Sequence, residues 1–129
     1  MQQYQDDYKE LFEQYGLVNT FLISPQTTEK RIRQIDENTS GFIYMVSSHG
    51  VTGAKAGITD EQVAYFERVQ AMNLRNPRLI GFGISDAETF TKASENSNGA
   101  IIGSAFIKTV KDSKNLSEDI QKYIQSVVN

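Results

Sequence analysis

The sequence predicts an α/β fold built on a parallel sheet, with one helix followed by four βα units. Three observations predict it. Two residue periods alternate along the chain, one near 3.6 and one short and β-rich. The β-rich runs are apolar almost throughout, as strands buried on both faces are. The 129 residues contain no proline- or glycine-rich linker, no low-complexity tract and no convincing internal sequence repeat, so they form a single domain. Strands that alternate with helices imply parallel pairing.

Residues 2–15 place Tyr4, Tyr8, Leu11, Phe12 and Tyr15 at helical spacing, and Gly16 follows as a stop. The run 18–23, Val-Asn-Thr-Phe-Leu-Ile, reads as the first strand. Ser24-Pro25-Gln26-Thr27 is a loop, and Thr27 or Thr28 caps a helix that carries Ile32 and Ile35 and ends before Ser40-Gly41. Residues 42–46, Phe-Ile-Tyr-Met-Val, form the second strand, followed by a polar, glycine-rich loop from Ser47 to Gly57. Thr59 with Gln62 has capping-box spacing, and Val63, Phe66, Val69 and Met72 make that helix's apolar side. After Asn76-Pro77, residues 78–84 read as the third strand; Ser85, with Glu88 three positions on, is expected to cap a helix over 86–95. Residues 99–103, Gly-Ala-Ile-Ile-Gly, read as the fourth strand. A helical stretch opens at Ser104, and a last helix places Ile120, Ile124 and Val127 on one side.

Composition excludes several kinds of chemistry. With no cysteine there is no disulfide, thiolate nucleophile or cysteine zinc site, and a lone His49 cannot build a histidine-rich metal centre. No metal and no cofactor is therefore expected. The net charge is −3, with basic residues dispersed among acids, so no stripe exists to neutralise a nucleic-acid backbone. Mean hydropathy is −0.43 and no apolar run approaches the roughly 20 residues of a membrane span. Residues 1–15 are polar and charged, unlike a secretory leader, and a cytoplasmic location is expected.

Four places depart from plain packing: Ser24-Pro25, the loop 47–57, Gly81-Phe82-Gly83-Ile84-Ser85 and Gly103-Ser104-Ala105. All lie at C-terminal ends of strands, the end that carries the active site in parallel α/β barrels. Glycines there let a ligand approach the backbone, and a helix opening at Ser104 would aim N–H groups and its positive end at an anion. Loops after the last two strands of such barrels often hold phosphate. Each piece also has a plainer reading. Ser104 can serve only as an N-cap, Leu22 as core, Tyr44 as packing with a satisfied hydroxyl, Phe82 as barrel filling and Thr52 as a turn stabiliser. His49 and Lys55 read as solvated loop residues, and Asp60, Glu61, Asp86 and Glu88 as helix-start acids that complement the dipole.

The ordered segments 41–53 (Gly-Phe-Ile-Tyr-Met-Val-Ser-Ser-His-Gly-Val-Thr-Gly), 81–85 (Gly-Phe-Gly-Ile-Ser) and 99–105 (Gly-Ala-Ile-Ile-Gly-Ser-Ala) resemble the tryptophan synthase alpha chain family. Phe21-Leu22-Ile23-Ser24-Pro25 is similar to the strand that precedes them there. The resemblance spans essentially the whole chain and implies half of a (β/α)₈ barrel, equivalent to helix 4 through helix 8 of the family. A complete barrel needs roughly 250 residues. The resemblance implies aldol cleavage of indole-3-glycerol phosphate to indole and glyceraldehyde 3-phosphate, with indole passed to a beta chain. It places Gly53, Gly83, Gly103 and Ser104 on the substrate phosphate, Leu22, Tyr44 and Phe82 around the pocket, and Thr52 in support of a catalytic aspartate.

The family's two catalytic carboxylates match no position of this sequence, so the chain alone is expected to be inactive. Ser48 stands where many members have arginine beside a mobile loop. Another phosphate-binding barrel enzyme would share the last two segments but not the one from Tyr44 to Gly53. The alternative to a lyase is a non-catalytic, phosphate-binding half-barrel. Its open sheet edges predict self-association into a homodimer or larger assembly.

Overall fold

The computed structural model describes residues 1–46, 58–81 and 83–128. A π-helical turn, Tyr4–Tyr8, runs into α1, Lys9–Gln14. Gly16 ends it at φ +64°, as a left-handed residue that glycine adopts without a Cβ penalty. The Gly16 N–H donates to the Glu13 carbonyl and the Leu17 N–H to the Phe12 carbonyl, the double closure of a Schellman motif. Then follow β1 (Phe21–Ile23), α2 (Glu29–Asn38), β2 (Ile43–Val46), α3 (Asp60–Gln70), β3 (Arg78–Gly81), α4 (Ala87–Glu95), α5 (Ser104–Lys111) and α6 (Leu116–Val128).

The strands lie in the order β1-β2-β3, all parallel. Leu22, Tyr44 and Leu79 share one register row, and Ile23, Met45 and Ile80 the next. Since side chains alternate across a strand, these rows point to opposite faces. Ile23, Ile43, Met45 and Ile80 bury completely against Ile32 and Ile35 of α2, Phe66 and Val69 of α3, and Ala93 of α4. Each such side chain contributes on the order of 1.5–3 kcal/mol through burial. Among the described residues the helical core packs on this face, and the other face carries Leu22 at 59% exposure.

All four strands differ from the sequence reading at a boundary, the second only by starting at Ile43 instead of Phe42. The first strand begins at Phe21 rather than Val18, because the Asn19 carbonyl accepts from Ser40 and Gly41 outside the ladder. The third strand stops at Gly81, and by Gly83 the chain has turned into positive φ (+76°), which a strand cannot sustain. The fourth shrinks to one parallel bridge, Ile80 to Ala100, flanked by bonds from Ile80 N–H to Gly99 and from Ile101 N–H to Ile80. The neighbouring ladder ends at Gly81, leaving the later residues little to pair with. The fourth βα unit is thus present in order and direction, with a minimal strand.

Caps fix where the helices start. Thr28 caps α2 through the Arg31 N–H, and Thr59 with Gln62 forms the expected capping box on α3. On α4 the cap is Asp86, not Ser85, and its box partner is Thr89, not Glu88. The Asp86 carboxylate accepts from the Thr89 N–H at 2.9 Å and the Thr89 hydroxyl at 2.8 Å, while the Thr89 oxygen accepts the Asp86 N–H at 3.2 Å. A charged acceptor outcompetes a serine hydroxyl for these donors.

At the opposite end of the sheet, Asp36 joins α2 to the approach to β3. Its carboxylate accepts from the N–H groups of Arg75 (2.8 Å) and Asn76 (2.9 Å) and from the Asn76 amide (2.9 Å). Burial pushes the carboxyl up, but these donors and the Arg75 charge together hold it below the usual carboxylate value.

Candidate functional site

Parallel strands bring the loops that follow them to one end of the sheet. Ser24-Pro25 follows β1, Gly83–Asp86 follows β3, and Gly103-Ser104 follows the bridge at Ala100. Thr52, Gly53 and Phe82 lie outside the described residues, as do Ser48, His49 and Lys55. The remaining expected site residues fall into two groups.

Leu22 and Tyr44 form the first group. They are register partners on the face turned away from the helical core, with Leu79 beside them. The Leu22 exposure removes its reading as core. The Tyr44 ring leans onto Gly81, where a Cβ would overlap both the ring and its hydroxyl. Gly81 is buried by this contact and admits no side chain while Tyr44 keeps its place. Leu79 packs in turn against Gly99, where a Cβ would come within 3.2 Å of Cδ2. Glycine and large residue therefore alternate across the open face.

Gly83, Gly103 and Ser104 form the second group, and all three are exposed. Gly83 sits at φ +76° with open space where a Cβ would stand. Gly103, not Ser104, is the N-cap of α5; Ser104 is its first helical residue. This corrects the capping role open to Ser104, and the reason lies in the side chains. Gly103 has none to offer, and among the described residues no side chain caps α5. The first helical bond runs from the Ile107 N–H to the Gly103 carbonyl, so the N–H groups of the preceding turn point out of the helix with its positive end. Such an arrangement can receive an anion.

Three positions brace these loops, and the sequence reading assigned none of them. Arg68 of α3 donates from Nη2 to the Pro25 carbonyl at 3.0 Å and stacks 5.6 Å from the Tyr65 ring centre. Burial pushes the Tyr65 phenol well above its ordinary value despite the Arg68 charge. Thr89 accepts the Ser85 N–H at 3.1 Å, and Tyr123 of α6 donates to the Ser85 carbonyl at 3.2 Å. Arg68 and Tyr123 bridge 43 and 38 residues of sequence, beyond the reach of any local spacing rule. Among the described residues, no cluster of three or more histidine or acidic side chains could hold a metal ion.

Residues 2–129 match the family model of the tryptophan synthase alpha chain. The chain belongs to the tryptophan synthase alpha chain family. It is 52% identical over 124 residues to the tryptophan synthase alpha chain of Flavobacterium johnsoniae, covering 96% of this chain and 48% of the relative. Against that of Christiangramia forsetii the identity is 51% over the same length and coverage. Among solved structures, the Pyrococcus furiosus tryptophan synthase A-subunit matches with a TM-score of 0.78 at 28% identity, over 97% of this chain and 50% of that one. A chain of the Pyrococcus furiosus tryptophan synthase α2β2 complex matches with a TM-score of 0.79 at 30% identity, over 95% and 50%. The chain therefore spans about half the length of the curated relatives it matches. The architecture is half of a (β/α)₈ barrel, as the resemblance implied.

Proposed function

We propose that this chain is the C-terminal half-barrel of a tryptophan synthase alpha chain, helix 4 through helix 8, and supplies the phosphate grip and one wall of the substrate pocket. The complete protein would cleave indole-3-glycerol phosphate to indole and glyceraldehyde 3-phosphate in the cytoplasm, and hand indole to a beta chain. Gly83, Gly103 and Ser104 are the phosphate ligands in this reading, joined by Gly53; Leu22, Tyr44 and Phe82 line the pocket, with Thr52 supporting the aspartate. The observation that carries it is the uncapped start of α5 at the same sheet end as the open Gly83 turn, beside the exposed Leu22–Tyr44 pair. Backbone N–H donors are well suited to a phosphate because they are fixed before it arrives.

The division of labour follows from the residues present. Acid/base catalysis typically supplies 10²–10⁴-fold of rate, and no position of this sequence matches the family's glutamate and aspartate. The chain alone then binds without turning over. Titration with glycerol phosphate, followed through backbone amides, tests the grip: the Gly83 and Ser104 resonances should move together and saturate. Unmoved amides at millimolar ligand would overturn it.

A second reading, a half-barrel that pairs with a second copy, is favoured by the apolar face and edges. Leu22 is joined in its exposure by Leu11, Tyr15, Leu17 and Val18 on one flank and Ile107, Leu116 and Ile124 on the other. Two copies would cover these surfaces and close a ring of eight strands.

A further inference from the structure

The candidate phosphate site has two walls on different parts of the chain, the turn after β3 and the start of α5. Nothing in their local sequences fixes the distance between them. Tyr123, near the middle of α6, touches both. Its hydroxyl donates to the Ser85 carbonyl at 3.2 Å, two residues past Gly83. Its ring packs on Phe106, two residues past Ser104, with centroids 6.2 Å apart and planes tilted by 51°.

The Ser85 turn is held from both sides. Its N–H is taken by Thr89, within the first turn of α4, and its carbonyl by Tyr123. Thr89 orients the turn relative to its own helix, and Tyr123 orients it relative to α5. Burial and the nearby Asp86 charge push the Tyr123 phenol up, so the hydroxyl remains a donor through neutral pH.

We propose that Tyr123 is a positioning residue for the phosphate site, holding the Gly83–Ser85 turn and the N-terminus of α5 at the separation one phosphate can bridge. This rests on the phosphate reading above. A rigid spacing of donors matters because an anion gains fully only from N–H groups already placed at hydrogen-bond distance. The tie lies outside the site and does not touch the ligand.

The test is Tyr123→Phe, which keeps the ring against Phe106 and removes only the hydroxyl. Ser126→Ala is the control, because it deletes a bond from Ser126 Oγ to the Tyr123 carbonyl within α6 alone. Inorganic phosphate is titrated into each full chain at a temperature where all are folded by circular dichroism, and the Gly83 and Ser104 amides are followed. Loss of one neutral hydrogen bond predicts that Tyr123→Phe weakens phosphate binding about threefold. The Gly83 response should shrink more than the Ser104 response, and Ser126→Ala should bind like wild type. Equal affinity and an unchanged Gly83 response in Tyr123→Phe would overturn the proposal. So would equal weakening in both variants, which would mark a general loosening of α6. A wild-type chain whose two amides ignore phosphate is a different result: it removes the phosphate reading itself, and the role of Tyr123 with it.

Discussion

Tyr44 occupies the space that a side chain at position 81 would need. Gly81→Ala must therefore move the ring or the strand, and forced overpacking costs about 1–3 kcal/mol. Urea unfolding should show that loss, and glycerol phosphate binding should weaken because the displaced ring reshapes the pocket wall. Asp36 gives a residue-scale prediction in pH. Its folded pKa lies below the ordinary 3.8, so its contribution is present above that value and lost as pH falls through the folded one. Asp36→Asn should cost about 1 kcal/mol at neutral pH after solvent screening, with the gap to wild type closing below pH 3.8. A gap independent of pH would contradict the hydrogen-bonded carboxylate. At this scale the sequence made the glycines visible but not their neighbours. Gly81 was legible as a place without a side chain; that Tyr44 fills that place depends on strand register.

At the scale of elements, helix starts separate by what their caps do. Asp86 closes α4 with three hydrogen bonds to and from Thr89, so Asp86→Ala should destabilise by roughly 0.5–2 kcal/mol in chemical denaturation. The start of α5 has no such cap. Gly103→Asp would place a carboxylate where the phosphate is proposed to sit. It should stabilise α5 by up to about 1 kcal/mol while abolishing phosphate binding. Tighter phosphate binding in that variant would contradict the assignment. The caps at Thr28 and Thr59 were legible because the spacing of acceptor and donor is local. Asp86 displaced Ser85 because two neighbouring acceptors compete and charge decides. The fourth strand was legible in place and direction but not in length, because its length depends on where β3 stops pairing.

For the whole molecule, alternation of residue periods was enough to give the order and parallel direction of the elements, because a helix between successive strands returns the chain to the same end of the sheet. The burial on both faces that the apolar strands led one to expect is not met: the face carrying Leu22 is open, because this half of a barrel brings no elements to cover it. The open face was legible only as arithmetic, in a chain of about half the length a closed barrel requires. That face predicts association: light scattering should find a dimer or larger species, and a cooperative monomer at low concentration would contradict it. The central claim is that this chain supplies the phosphate end of an indole-releasing site whose carboxylates lie elsewhere. Mixing it with the N-terminal half-barrel of a close relative and measuring indole released from indole-3-glycerol phosphate tests this most directly. Each half alone should be silent and the mixture active, with activity lost when Gly103→Asp replaces the wild-type chain. A verified complex of the two halves that releases no indole would contradict it.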